Sequence, residues 1–196
     1  MNDSDMRRQW LLIAVSTAGA ADSLRMATWR KLRSLGALYL QQSVCVLPAR
    51  QEVRRDVRRL VDRVHAQGGS ARVLTVSFED ADEEAQVIEE LRAARDDEYG
   101  EVLARVPGLL DELRQERIRD RATYEEVEES EADLERFRSW LSKIDRRDYF
   151  DAPRRTEAHD AVERCARALE AFESEAFARD ARPSRARSGL RSVDDA

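Results

Sequence analysis

The hydrophobic period of this chain changes once, near residue 79, and that change limits the fold more than any other feature. Before it, short unbroken apolar runs alternate with segments whose apolar residues recur every three or four positions. After it, only the helical spacing persists, to about Arg179. Short apolar runs bounded by turn residues read as strands, and three- and four-residue steps read as helices. The order predicts an α+β unit followed by long helices. Hydrophobic residues make up 42% of the chain, enough for a core and too many for wholesale disorder.

The first half divides into six elements. Gln9 to Ser16 is nearly continuous in apolar residues, as a covered central strand would be. A helix follows, with Asp22 or Ser23 as its expected cap and Leu24, Thr28, Leu32 and Leu35 on one face. Gly36 stands where a left-handed cap belongs. Ala37–Leu40 and Val44–Leu47 form a hairpin around Gln41-Gln42-Ser43, a turn without the usual Gly or Asn. Pro48 stops the second run. The next helix carries Val53, Val57, Leu60 and Val64 on one side and ends at Gly68-Gly69, and a last strand runs from Arg72 to Phe78. The order β-α-β-β-α-β is that of a ferredoxin-like domain, expected over residues 1–79.

From Asp80 the pattern predicts a helix at Val87, Ile88 and Leu91 that pauses near Asp96-Asp97 or Gly100. A second, through Val102, Val106, Leu109, Leu110 and Leu113, is kinked or restarted by Pro107. Thr123-Tyr-Glu-Glu126 is a capping box. Val127, Leu134, Phe137, Leu141 and Ile144, and then Val162, Cys165, Leu169, Phe172 and Ala176 beyond a turn at Asp151-Ala-Pro153, continue the seams. Residues 80–180 therefore read as a coiled-coil hairpin or small bundle of long antiparallel helices, with 181–196 a disordered tail.

Charge divides at the same place. The net charge of −6 averages 13 basic and 7 acidic residues in 1–79, a net of +6, against 17 and 31 in 80–180, a net of −14. The tail adds +2. The basic residues of the first half cluster on its helices: Arg25, Arg30, Lys31 and Arg33 on the first, and Arg54, Arg55, Arg58 and Arg59, with Arg50 and Arg63, on the second. Guanidinium groups offer forked, charge-assisted donors that suit phosphate. The competing reading is a solvated face paired with Glu52, Asp56 and Asp62, or docked on the acidic helices. Trp29, one position off the apolar row, reads as a partly buried core or dimer contact, or as a platform for a base.

Several classes drop out. Two Cys and two His, none close in sequence, exclude a zinc module or a disulfide scaffold and suit a reducing cytoplasm. Cys45 and Cys165 read as buried fillers. Arg7 and Arg8 before Trp10–Val15 imitate an export signal, but Asp3 and Asp5 spoil its basic start and the apolar run is only six residues. No stretch approaches the roughly 18 apolar residues of a membrane span. There is no nucleophile elbow, phosphate loop, HExxH or catalytic carboxylate pair. The expectation is a non-enzyme without cofactor or metal.

The runs Trp10-Leu-Leu-Ile13, Ser23–Ala37 and Tyr39–Pro48, and the later Lys143-Ile-Asp-Arg-Arg-Asp-Tyr-Phe-Asp-Ala-Pro153, resemble the N-terminal domain of ChrB, a family of bacterial chromate-resistance regulators. The resemblance extends from residue 9 to about 178 and is most specific over 24–48. By architecture alone the first unit is also similar to parts of PaaX-type repressors and to the Cas2 fold. Cas2-type nucleases place a metal-binding aspartate near the end of the first strand, where this chain has Val15-Ser16-Thr17. The ChrB resemblance implies a cytoplasmic, dimeric protein that binds double-stranded promoter DNA and responds to chromate as effector. It also implies a C-terminal sensing domain; the sequence reads as a form truncated at Ala196, before such a domain, so sensing itself does not carry over from the resemblance. The alternative is a non-catalytic scaffold whose basic and acidic surfaces pair.

Overall fold

A computed structural model describes residues 8–118 and 124–180. The element order is β1 (Trp10–Ser16), α1 (Asp22–Ser34), β2 (Leu38–Gln41), β3 (Val44–Pro48), α2 (Gln51–Ala66), β4 (Ser70–Val76), α3 (Ala81–Ile118), α4 (Tyr124–Asp145) and α5 (Arg155–Asp180). The four strands form one antiparallel sheet in the order β2-β3-β1-β4. The apolar run Trp10–Val15 is thus an inner strand, paired on both sides, and it needs no polar face.

One face of the sheet carries α1 and α2. Leu11, Ile13, Cys45 and Leu47 lie beneath Leu24, Leu32, Val53, Val57, Leu60 and Val64. Each such side chain stabilises the fold by about 1.5–3 kcal/mol on burial. α1 ends as its sequence predicts: Gly36 is left-handed at φ 74°, and its N–H donates to the Arg33 carbonyl at 2.9 Å. Gly36 has a second reason to lack a side chain, because a Cβ there would stand 2.7 Å from an Arg95 nitrogen and 2.9 Å from the Arg147 Cβ.

The start of α1 differs from expectation. Neither Asp22 nor Ser23 caps it. Ala21 is the N-cap residue and makes no side-chain cap bond, while Asp22 sits in the first turn, where a carboxylate still favours the helix dipole. The last strand also begins and ends two residues earlier than the apolar run suggested. Pairing starts at once, Ser70 opposite Ser16, after Gly68 turns the chain at φ 80°. Phe78 leaves the sheet and packs edge-on against Trp10, ring centroids 5.5 Å apart.

The opposite face of the sheet meets α3. Trp10 and Val46 are buried with Val87 and Leu91, and the Trp10 indole donates to Glu84 at 2.7 Å. α3 then continues as one helix for 38 residues, so neither the pause near Asp96-Asp97 nor a restart at Pro107 occurs. The polar stretch is continuous because its charges are satisfied, partly within the helix and partly from outside it. The Asp96 carboxylate accepts from the Arg154 backbone N–H at 2.7 Å, and Glu98 pairs with Arg95 and Arg147. Gly100 leaves room for the Arg154 guanidinium, which lies 2.8 Å from where a Cβ would be. At Pro107 the loss of one internal bond is offset by packing: Val106 and Leu109 stay buried in a core shared by α3, α4 and α5. Val127, Leu134, Leu141, Ile144, Val162, Leu169, Phe172 and Ala176 fill that core. Cys165 is in it too, and both thiols are free and buried, as their apolar settings suggested. Thr123, the expected capping residue, and the tail lie outside the described residues. No helix among the described residues is long and apolar enough to cross a membrane.

Candidate nucleic-acid interface

The helical period of α2 turns Val53, Val57, Leu60 and Val64 inward, which forces its arginines outward. Arg55, Arg58 and Arg59 are exposed on that outer side. On α1, Arg30 and Arg33 are likewise exposed. The two helices meet along a seam where Lys31 pairs with Asp56 at 3.0 Å, and Asp56 also stands 3.7 Å from Arg59. The other predicted residues are placed apart. Arg54 faces the sheet edge, donating to the Ala49 carbonyl at 3.1 Å, Thr75 Oγ1 at 3.1 Å and Gln9 Oε1 at 3.0 Å. Arg25 pairs with Asp22 at 3.1 Å across an exposed turn of α1. Trp29 is 40% exposed, with the Arg33 guanidinium 5.2 Å from its ring centroid.

Among the described residues, the side chains of Arg30, Arg55, Arg58 and Arg63 have no hydrogen-bond or ion-pair partner. None of Arg25, Arg30, Lys31, Arg33, Arg54, Arg55, Arg58 and Arg59 pairs with a carboxylate of α3, α4 or α5. The acidic neighbours on α2 do little to neutralise the face, since only Asp56 is engaged. Four outward guanidinium groups without a protein partner among the described residues offer the forked, charge-assisted donors that suit phosphate.

A feature that periodicity does not disclose holds this face in place. The segment between α4 and α5 wedges between the sheet unit and the helices. Tyr149 is buried, its hydroxyl donates to the Leu35 carbonyl at 2.7 Å, and its backbone carbonyl accepts from Arg50. The Arg50 guanidinium also stands 5.0 Å from the Tyr149 ring centroid. Phe150 packs on Trp10 at 5.8 Å. Arg147 reaches Glu98 at 2.8 Å, and Tyr99 donates to Asp145 at 2.8 Å. Burial pulls the Arg95 pKa down, against the opposing pull of Glu98. Burial also raises the Tyr149 hydroxyl to about 12, with Glu52 adding to the effect. The end of α1 and the start of α2 are therefore both tied to one loop.

Beside this loop lies a cleft of about 520 Å³ rich in charge of both signs, lined by Lys31, Arg50, Lys143, Arg146 and Arg147 and by Glu52, Asp56, Asp145 and Asp148. The two signs offset one another, so the cleft is poorly suited to a multiply charged anion. Among the described residues no group of three or more His, Cys, Asp or Glu is placed to hold a metal ion.

The segments that build this geometry, the helix and hairpin of residues 24–48 and the wedge of 143–153, fall almost wholly within the stretch that matches a known family. A family model described as Protein ChrB, N-terminal, matches residues 25–183. The chain belongs to the ChrB N-terminal family. Within it, Protein ChrB of Cupriavidus metallidurans is 31% identical over 77 residues, 39% of this chain and 24% of that relative. The match thus spans about a quarter of the curated ChrB protein. No solved structure matches the chain.

Proposed function

We propose that this ChrB-type chain is a non-catalytic, cytoplasmic regulator that binds double-stranded promoter DNA through the outward faces of α1 and α2, as a homodimer. The observation that carries the reading is the set of unpartnered arginines, Arg30, Arg55, Arg58 and Arg63, on a unit of net charge +6 joined to helices of net charge −14. The acidic helices would repel a duplex and confine it to the sheet unit. Control of chromate-resistance genes, with chromate as the signal, comes to the proposal from the family. We read the sheet unit as ferredoxin-like from its βαββαβ order and strand order, and α3–α5 as an antiparallel bundle from their shared core. The scaffold alternative requires these arginines to meet acidic side chains. Within the chain, among the described residues, these four meet no carboxylate; of the other basic residues on the two helices, Arg25 meets Asp22, and Lys31 and Arg59 meet Asp56.

The test titrates labelled promoter DNA from the protein's own operon at several salt concentrations. Each phosphate contact contributes about 0.9 to the slope of log K against log salt. Replacing Arg30, Arg55 and Arg58 together by Ala should lower that slope by roughly 2–3. No binding at low salt, or an unchanged slope in the triple variant, would reject the proposal.

A further inference from the structure

We infer that the groove between α1 and the β2–β3 hairpin binds a small aryl monocarboxylate, and that its occupancy loosens the adjoining DNA face. The second half rests on the DNA reading above; the first does not. The groove encloses about 500 Å³. Its floor contains Thr28, Tyr39 and Cys45, and its mouth carries Arg25, Met26 and Trp29. Met26 and Trp29 are 45% and 40% exposed, two large apolar side chains left in water on a helix whose other outward positions are mostly polar. A flat apolar ligand would cover both.

The polar groups narrow the ligand class. Thr28 is 4% exposed and its Oγ1 has no hydrogen-bond partner, an arrangement that costs free energy until a partner is supplied. Burial raises Cys45 to about 12 and Tyr39 to about 12, so the floor is uncharged near neutral pH. Arg25 is the single charged residue lining the groove, and no carboxylate lines it. Its partner Asp22 is 87% exposed at the side chain, so that ion pair is weak and easily exchanged for a carboxylate in the groove. One cation at the rim of an apolar, aromatic slot fits one negative charge on an aromatic body. A doubly charged tetrahedral oxyanion would find one guanidinium and an apolar floor, and fits poorly.

Coupling to the outer face is direct. Arg25 belongs to the basic set of α1, and Trp29 carries Arg33 against its ring. A ligand that covers one face of Trp29 re-aims the Arg33 guanidinium held against that ring, on the same helix that presents Arg30.

The probe is 1-naphthoate, with neutral 1-naphthamide as control, titrated into the full chain by calorimetry while the Trp29 indole N–H is followed by NMR. The expected result is saturable one-to-one binding that shifts the Trp29 resonance. Binding should weaken about fivefold or more for the amide and in Arg25→Gln, an exposed substitution that leaves the core intact. Thr28→Val, which keeps the shape and removes the hydroxyl, should also weaken it. No saturable binding at millimolar naphthoate, or equal affinity for acid and amide, would overturn the site. An unchanged Kd in Arg25→Gln would do the same. With promoter DNA present, saturating naphthoate should raise the DNA Kd several-fold. Naphthoate binding without that rise overturns the coupling and leaves the groove as a ligand site. Absence of DNA binding at any naphthoate concentration overturns the DNA reading and the coupling with it, and leaves the calorimetric result standing by itself.

Discussion

Tyr149→Phe removes one oxygen from the wedge and nothing else, which makes it a clean measure of how strongly the wedge holds the basic helices. The hydroxyl donates to the Leu35 carbonyl at 2.7 Å across 114 residues of sequence, and the ring is buried. Without it the carbonyl at the end of α1 loses its partner in a half-buried setting, at a cost of about 1–2 kcal/mol. For a chain of this size that corresponds to a fall in Tm of roughly 3–6 °C. Tyr149→Ala also removes a ring that packs in the sheet core and faces Arg50 at 5.0 Å, and should cost about 3–5 kcal/mol. Urea unfolding followed by circular dichroism reads both values, with an unchanged m-value showing that the native state is otherwise intact. A Tyr149→Phe protein as stable as the parent, or an Ala variant that loses less than about 1 kcal/mol, would refute the reasoning.

Two further predictions use the same assay. Gly36→Ala places a Cβ on a left-handed residue and 2.7 Å from Arg95, and should destabilise by about 2–3 kcal/mol; a neutral effect would mean that the α1 cap and the Arg95–Arg147 layer are not in contact. Stability should fall as pH rises from about 10 to 12, because the Tyr149 hydroxyl is held protonated in the fold, its pKa raised from 10.0 to about 12. Its contribution, about 2–3 kcal/mol, is complete below the unfolded value and is lost as the folded value is passed. The buried Tyr39 and Cys45 add to the decline in the same direction, so Tyr149→Phe should make it shallower without abolishing it, and an equal decline in both proteins would remove Tyr149 from its causes.

Most elements of the fold are legible in the chain because local spacing sets them. The apolar rows of α1 and α2, the left-handed Gly36 and the unbroken run of β1 all name their own environments. What is not legible depends on partners far away in sequence. Asp96 and Glu98 read as a polar interruption until Arg154 and Arg147 arrive to satisfy them, and α3 then has no reason to stop. Likewise Tyr149-Phe150 belongs to no period, since it packs across the fold on Leu35, Arg50 and Trp10. The basic residues were visible as a set, but their division was not. Arg54 is spent on the sheet edge and Arg25 on the groove, because the outward fan of a helix is wider than one interface. One signal for the groove was available: Met26 and Trp29, three positions apart on an otherwise polar face.

The unbroken α3 has a mechanical consequence. Its first turns are gripped by Trp10 and Val46 of the sheet, and its remainder by α4 and α5. At 1.5 Å per residue its 38 residues make a strut about 57 Å long. Such a strut multiplies angle into distance: a tilt of about 5° at the sheet displaces the Ile118 end by roughly 5 Å. The sheet unit and the tips of the acidic helices are therefore not free to move separately. A partner that seized the far end would torque the surface that carries the arginines, and a duplex seated on that surface would in turn swing the far end.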